Sequence, residues 1–194
     1  MAHIPDRNEA FSLLQEFTKT EALIGHALAV EGVMRYMARK TDHSQDEDMW
    51  GIIGLVHDLD YEQYPDKHCE MVEEILRDRD WPEDWIRAIM SHGYGLCSDV
   101  KPESDLEKTL FAIDELTGLI TACALVRPSR SVMDMTAKSV KKKWKQRAFA
   151  AGANREVIEQ GANMLGVELT ELITDTIMGM REVASDIGLG MDGD

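Results

Sequence analysis

Residues 52–58 of the chain are Ile-Ile-Gly-Leu-Val-His-Asp, an apolar run that ends in an imidazole and a carboxylate. Leu, Ile, Ala and Met also recur at three- and four-residue spacing through most of the chain, which is typical of helices. The strict alternation of apolar and polar residues that marks a half-buried strand is almost absent. The sequence therefore predicts an all-α protein, a bundle of about eight or nine helices.

Capping and stop signals indicate where these helices begin and end. Ser44 and Glu47 form one candidate capping box, and Ser104 and Glu107 form another. Proline in a first turn favours helix starts at Pro65 and near Pro82, and Pro128 interrupts a long helix. The tail, residues 188–194, is rich in Gly and Asp and is expected to fray. The predicted helices cover about 8–18, 20–39, 44–57, 65–79, 80–92, 104–126, 154–165 and 168–187.

The composition restricts the class of protein. A length of 194 residues is enough for one domain with a full core, and a net charge of −15 argues against general nucleic-acid binding and against attraction to an anionic membrane. No stretch approaches the ~18 apolar residues of a membrane span, and the N-terminus lacks the apolar run of a signal peptide. Cys69, Cys97 and Cys123 are scattered and form no CxxC pair, so neither a disulfide framework nor a zinc knuckle is expected. We therefore expect a cytoplasmic protein.

The composition changes after Pro128. Residues 127–147 carry eight Lys or Arg residues and a single acid within an acidic chain. We therefore predict a core, residues 1–126, and a basic segment with a helical extension, residues 127–194, packed on that core. The Lys141-Lys142-Lys143 run is either a solvated helix face or part of a phosphate-binding wall, and the sequence leaves both interpretations open.

Two polar residues lie on apolar helix faces. His26 shares a face with Val30 and Val33, and by itself it could be a core histidine bonded to a backbone carbonyl. Asp114 follows Ile113 on a very apolar helix, where a carboxylate without a partner costs several kcal/mol. Because no Lys or Arg lies within one turn of Asp114, its partner must come from elsewhere in the fold, as a cation or a metal ion. Imidazole and carboxylate together suit Fe, Mn, Zn or Co, and bundle interiors are common places for such sites.

The order His26, His57-Asp58, Asp114 resembles the H…HD…D signature of the HD-domain metal-dependent phosphohydrolase superfamily. Residues 54–62, Gly-Leu-Val-His-Asp-Leu-Asp-Tyr-Glu, are similar to the HDIG-type subgroup, with Leu59-Asp60 in place of its usual Ile-Gly. The similarity covers about residues 20–126. It implies a helical HD-type core that binds metal.

The resemblance also implies a two-metal site. His68 and His92 match the two places where binuclear HD domains carry additional histidines. Asp58 would then bridge two divalent ions and position the water that they activate. Fe or Mn is expected rather than Mg, because imidazole outnumbers carboxylate, with Zn, Co and Ni as alternatives. The implied ligands are His26, His57, Asp58, His68, His92 and Asp114.

The implied activity is hydrolysis of a small phosphate ester or nucleotide through a metal-activated water. Lys67, Arg127 and Arg130 are candidates for phosphate binding, since Arg can grip a phosphate with two hydrogen bonds. Two alternatives remain open. The chain could be an HD-type di-iron oxygenase, similar to myo-inositol oxygenase, or a non-catalytic HD domain with a regulatory or binding role.

Overall fold

The computed structural model describes residues 2–191, and within that range it contains nine α-helices and no β-strand, only an isolated bridge between Tyr94 and Ser98. The predicted all-α class is confirmed. The helices are α1 (Arg7–Phe17), α2 (Glu21–Lys40), α3 (Glu47–Val56), α4 (Glu70–Arg77), α5 (Glu83–Ser91), α6 (Asp105–Leu125), α7 (Ala137–Trp144), α8 (Arg155–Leu165) and α9 (Leu169–Glu182).

One of the two predicted capping boxes is present. Ser104 Oγ accepts a hydrogen bond from the Glu107 backbone N–H at 3.2 Å, and the Glu107 carboxylate accepts one from the Ser104 N–H at 2.9 Å, so α6 begins as predicted. The box at Ser44 is wrong. Residues Ser44–Asp46 form a 3-10 turn without a side-chain cap, because the Glu47 carboxylate binds Arg39 instead of reaching back to Ser44.

The single helix predicted for 65–79 is broken. Pro65–Lys67 forms a 3-10 turn, Cys69 adopts a left-handed backbone with φ of 73°, and α4 starts only at Glu70. No side chain next to α4 in sequence caps its first turn. Instead the buried Asp60 carboxylate accepts the N–H of Val72 at 2.8 Å, which satisfies one of the free donors at the start of the helix.

Helix α2 lies at the centre of the fold, in contact with α3, α6 and α9. Small residues let its neighbour approach closely: a Cβ atom on Gly179 of α9 would lie 2.6 Å from the Cα of Val33 in α2. Helix α8 packs against α6 in the same way, through Gly161 against Ala112. Helices α8 and α9, which follow residue 126, therefore contact α6 and α2 closely. The division of the chain into a core and an extension at residue 126 stays a prediction. None of the described helices is both long and apolar enough to cross a membrane.

The first part of the predicted frayed tail is anchored. Helix α9 ends at Glu182, and the chain then turns so that Leu189 is buried. The Leu189 carbonyl accepts hydrogen bonds from the Val132 N–H at 3.0 Å and the Ser131 hydroxyl at 2.8 Å. The expectation of fraying is therefore wrong at Leu189, and residues 192–194 lie outside the described part of the chain.

Candidate metal centre

The six implied ligands come from separate parts of the chain and meet in one cluster. Helix α2 contributes His26 and α6 contributes Asp114, while His57 and Asp58 follow the end of α3, and His68 and His92 lie next to α4 and α5. Five of them line a cavity of about 440 Å³, and His57 is fully buried behind them. The structure thus brings together every side chain that the family resemblance implied as a ligand.

The first group of donors surrounds Asp114. Its Oδ1 lies 3.0 Å from His26 Nε2 and 3.3 Å from His57 Nε2. Asp58 completes the group, with Oδ2 3.8 Å from His26 Nε2. The ligand atoms of these four residues all lie within 4.8 Å of one another. The distant partners that Asp114 required are therefore the two histidines.

The second group lies on the other side of Asp58. His68 Nε2 and His92 Nε2 are 3.2 Å apart, and they lie 3.5 and 3.3 Å from Asp58 Oδ1. The same oxygen is 3.5 Å from His57 Nε2 in the first group. Asp58 is therefore common to both groups of donors.

The ring orientations fit a metal ion. His57 Nδ1 donates to the Gly54 carbonyl at 2.8 Å and His92 Nδ1 to the Ile89 carbonyl at 2.5 Å, while His68 Nδ1 faces Asp60 Oδ1 at 2.8 Å. With Nδ1 protonated, each imidazole in its neutral form presents an Nε2 lone pair to the cluster. The Nε2 atoms of His68 and His92 then face each other, and only a proton or a metal cation can join two such acceptors. This anchoring of the far ring nitrogen is usual for metal-binding histidines.

The electrostatics of the metal-free chain show two ionised carboxylates around a cationic imidazole. Burial would lower the pKa of His57, but the carboxylates of Asp58 and Asp114 outweigh it and raise that pKa to about 9. Burial likewise opposes ionisation of the two carboxyl groups, yet the charge of His57 keeps the pKa of Asp58 and of Asp114 well below the usual range. Both carboxylates are therefore ready to bind a cation at neutral pH.

Sequence reasoning missed two acidic residues at this site. Asp60 is fully buried and orients His68, although its only signal in the sequence was a departure from the HDIG pattern. Glu115 lines the cavity, and burial followed by the charge of Asp114 raises its pKa. Its carboxylate accepts the N–H of Asn154 at 3.0 Å, which ties the start of α8 to α6.

The three candidate phosphate-binding residues lie in different surroundings. Lys67 is exposed, and its Nζ lies 4.0 Å from Glu70 Oε1. It does not line the 440 Å³ cavity of the implied ligands, which we call the metal cavity. Arg127 forms an ion pair with Asp134 at 2.7 Å. Arg130 lines a second cavity of about 590 Å³, whose wall shares His26 and Gly118 with the metal cavity.

The sequence predicted no disulfide framework, and the structure contains one disulfide among the described residues. Cys69 and Cys97 form a disulfide, with Cα atoms 6.0 Å apart, while Cys123 is free and buried. The two cysteines are 28 residues apart in sequence. The left-handed backbone at Cys69 and the turn after Gly93 bring their sulfurs together. Cys97 lines the metal cavity, so the disulfide lies at its edge.

The HD domain family model matches residues 23–119, half of the chain, and this range includes all six residues of the cluster. The chain belongs to the HD domain family. HD domains bind divalent metals, the family includes many metal-dependent hydrolases, and the His/Asp groups of this HD domain are able to hold a metal ion. Comparison with curated proteins and with solved structures found no match.

Proposed function

We propose that this HD domain protein is a metal-dependent phosphohydrolase that uses two divalent cations to cleave a small phosphate ester or a nucleotide. The position of Asp58 carries the proposal. Its Oδ1 lies within 3.5 Å of imidazole nitrogens from both groups, those of His57, His68 and His92. A carboxylate with this placement suits a bridge between two ions, an arrangement that serves in-line attack on phosphorus.

Each residue of the cluster has a defined role in this proposal. His26, His57 and Asp114 would hold one ion, His68 and His92 would hold the other, and Asp58, which lies next to both groups, would serve both ions and help to position the attacking water. Bound cations would lower the pKa of the attacking water and would neutralise negative charge on the phosphoryl group. A donor set with four imidazoles and two carboxylates favours iron or manganese over magnesium.

Arg130 is the best-placed phosphate-binding residue. Its guanidinium makes no salt bridge with any residue in the range 2–191, so it is free to bind phosphate oxygens. Arg127 would first have to leave Asp134, and Lys67 lies outside the cavity wall, so both are proposed as outer contacts for a phosphorylated substrate. The two cavities share His26 and Gly118 in their walls, and this proximity suits a small molecule whose phosphate reaches the metal centre.

The direct test removes metal with a chelator, reloads the protein with Mn²⁺ or Fe²⁺, and assays phosphomonoesters, phosphodiesters and nucleotides. We expect hydrolysis of at least one class that depends on the metal and is lost in Asp58→Asn. The surface variant His3→Ala is the matched control and should keep full activity. Oxygen uptake without phosphate release would instead support a di-iron oxygenase, and metal binding without any turnover would support a non-catalytic domain.

The number of metal ions is tested by the double variant His68→Ala/His92→Ala. It removes the second group of donors and leaves the four side chains of the first group unchanged. We expect the metal content to fall from two ions per chain to one, and hydrolysis to fall by orders of magnitude, since one cation loses its partner at the phosphoryl group. Elemental analysis after gel filtration measures the content. An unchanged content would show that these histidines bind no metal.

A further inference from the structure

The disulfide lies against the second group of metal donors. Cys69 directly follows His68, and Cys97 belongs to the turn that follows His92. Backbone N–H groups of Leu96, Cys97 and Ser98 all donate to the Gly93 carbonyl, which closes this turn tightly. Both sulfurs pack against Gly93, where a Cβ atom would overlap each of them. The cysteine pair therefore joins the two segments that carry His68 and His92.

Cys69 is also within reach of a metal ion at this position. Its Sγ, one ring nitrogen of His68 and one ring nitrogen of His92 all lie within 4.8 Å of one another. Cys69 is completely buried, whereas Cys97 is exposed at the cavity wall. One cysteine of the pair is thus buried beside the metal donors, and the other is an exposed residue at the cavity wall.

We propose that Cys69 and Cys97 form a reversible dithiol–disulfide couple that changes the donor set of the His68–His92 metal position. In the reduced protein the Cys69 thiolate binds the ion beside the two imidazoles, and in the oxidised protein the disulfide withdraws it. This inference depends on the second metal position of the proposed function and adds a redox response to it.

The exchange needs a partner, which we assign to a thiol of low molecular weight such as glutathione. A glutathione thiolate attacks the exposed Cys97 sulfur, the S–S bond breaks, and Cys69 leaves as a thiolate. A second glutathione thiolate attacks the mixed disulfide and releases Cys97, so that two glutathiones are oxidised to one disulfide and both cysteines are reduced. The Cys69 thiolate released in the first step binds the ion directly, and the protons lost by the two glutathione thiols pass to the solvent.

The two states differ in the metal that they prefer. Thiolate is a softer ligand than imidazole or carboxylate and favours Zn²⁺ and Co²⁺ over Mn²⁺. We therefore expect reduction to raise the affinity of the second position for Co²⁺ relative to Mn²⁺, and oxidation to restore a donor set of nitrogen and oxygen only.

Cobalt alone is the probe that tests this, because a Co²⁺–thiolate bond gives a near-ultraviolet charge-transfer band that imidazole and carboxylate ligands do not give. Metal-free protein is titrated with Co²⁺ after reduction by a phosphine, which has no thiol, or after oxidation by oxidised glutathione. We expect the band to develop with one of two cobalt equivalents in the reduced protein and to be absent from the oxidised protein. Cys97→Ser should show the band in both conditions, Cys69→Ser in neither, and the buried Cys123→Ser should behave like the parent.

Two failures of the experiment have different meanings. Two bound cobalt ions without the band in the reduced protein, or a band that persists in Cys69→Ser, would overturn the redox couple and leave the metal centre intact. No cobalt binding in either state would overturn both the couple and the proposed function. Cys97→Ser keeps the inference testable even if Cys69→Ser fails to fold, because it leaves Cys69 free in a protein that cannot form the disulfide.

Discussion

Asp60 shows how a side chain that lies outside the implied ligand set can still orient one of the implied ligands, His68. One carboxylate oxygen faces His68 Nδ1 at 2.8 Å, and the other accepts the Val72 N–H at 2.8 Å. The first contact fixes the orientation and tautomer of the imidazole, and the second fixes the start of α4 behind it. A single buried carboxylate thus links the local backbone to the geometry of the second donor group.

Replacing this carboxylate should affect the second metal position selectively. We expect Asp60→Asn to weaken binding of the second ion by roughly 10- to 100-fold, because the amide is a poorer acceptor for the His68 ring proton. The first ion, held by His26, His57 and Asp114, should bind as before. A calorimetric Mn²⁺ titration resolves the two positions, and the exposed Asp66→Asn is the control. Equal weakening of both ions would contradict this role.

Metal binding at the first position should release a proton from His57. The carboxylates of Asp58 and Asp114 overcome the effect of burial and raise the pKa of His57 from its ordinary 6.5 to about 9, so the imidazole of the metal-free protein is protonated at neutral pH. A metal ion must displace this proton, so affinity should increase with pH until about pH 9. The same bound proton stabilises the metal-free fold below pH 6.5, and this contribution is lost as the pH rises through about 9.

A weakly buffered Mn²⁺ titration with a pH indicator measures the release. We expect about one proton per ion at the first position near neutral pH, and almost none above about pH 9, where His57 is already neutral. Affinity that stays constant from neutral pH to about pH 9 would contradict the raised pKa. The double variant His68→Ala/His92→Ala isolates the first position for this measurement.

Among the elements, the contact of α9 with α2 leaves no room for a side chain at Gly179. A Cβ atom on Gly179 would lie 2.6 Å from the backbone of Val33, and backbone cannot move aside as a flexible side chain can. We expect Gly179→Ala to reduce the free energy of unfolding by about 1–3 kcal/mol, the usual cost of overpacking. Urea denaturation measures it. Gly25→Ala in α2, which would meet nothing within 4 Å, should instead be neutral or stabilising by up to about 1 kcal/mol.

The sequence predicted those elements whose signals are local. The capping box at Ser104 predicted the start of α6 because both of its partners lie within one turn. The box at Ser44 had the same pattern but failed, since Arg39 from another helix takes the Glu47 carboxylate. The break before α4 was not predictable, because the Asp60 carboxylate that caps this helix lies 12 residues from Val72.

The metal cluster was predictable for a different reason. The order of His26, His57-Asp58 and Asp114 along the chain matches a family pattern. No signal within one helix or turn predicts that these residues lie together in space. The pairing of Cys69 with Cys97 leaves no such pattern. It depends on the turn after Gly93 and the left-handed backbone at Cys69, both of which are set by tertiary contacts.

At the scale of the whole molecule, the candidate metal centre is where distant segments of the HD domain meet. Its donors come from α2, α6 and the ends of α3 and α5, and from the turn before α4. In the unfolded chain these groups lie up to 88 residues apart, as His26 and Asp114 do, so a metal ion finds no comparable site there. Metal binding is therefore coupled to the stability of the whole fold.

This coupling predicts a large thermal shift. A ligand present at 1,000 times its Kd stabilises the native state by about 4 kcal/mol, and each kcal/mol raises the Tm of a chain of this size by roughly 2–4 °C. We therefore expect saturating Mn²⁺ to raise the Tm of chelator-treated protein by roughly 10 °C for each tightly bound ion. Differential scanning calorimetry measures the shift, which should be smaller with Mg²⁺ because imidazole is a poor ligand for that ion. Asp114→Ala should lose the contribution of the first ion and keep that of the second. A Tm that does not respond to Mn²⁺ in the parent protein would mean that the histidines and carboxylates, although clustered, hold no ion.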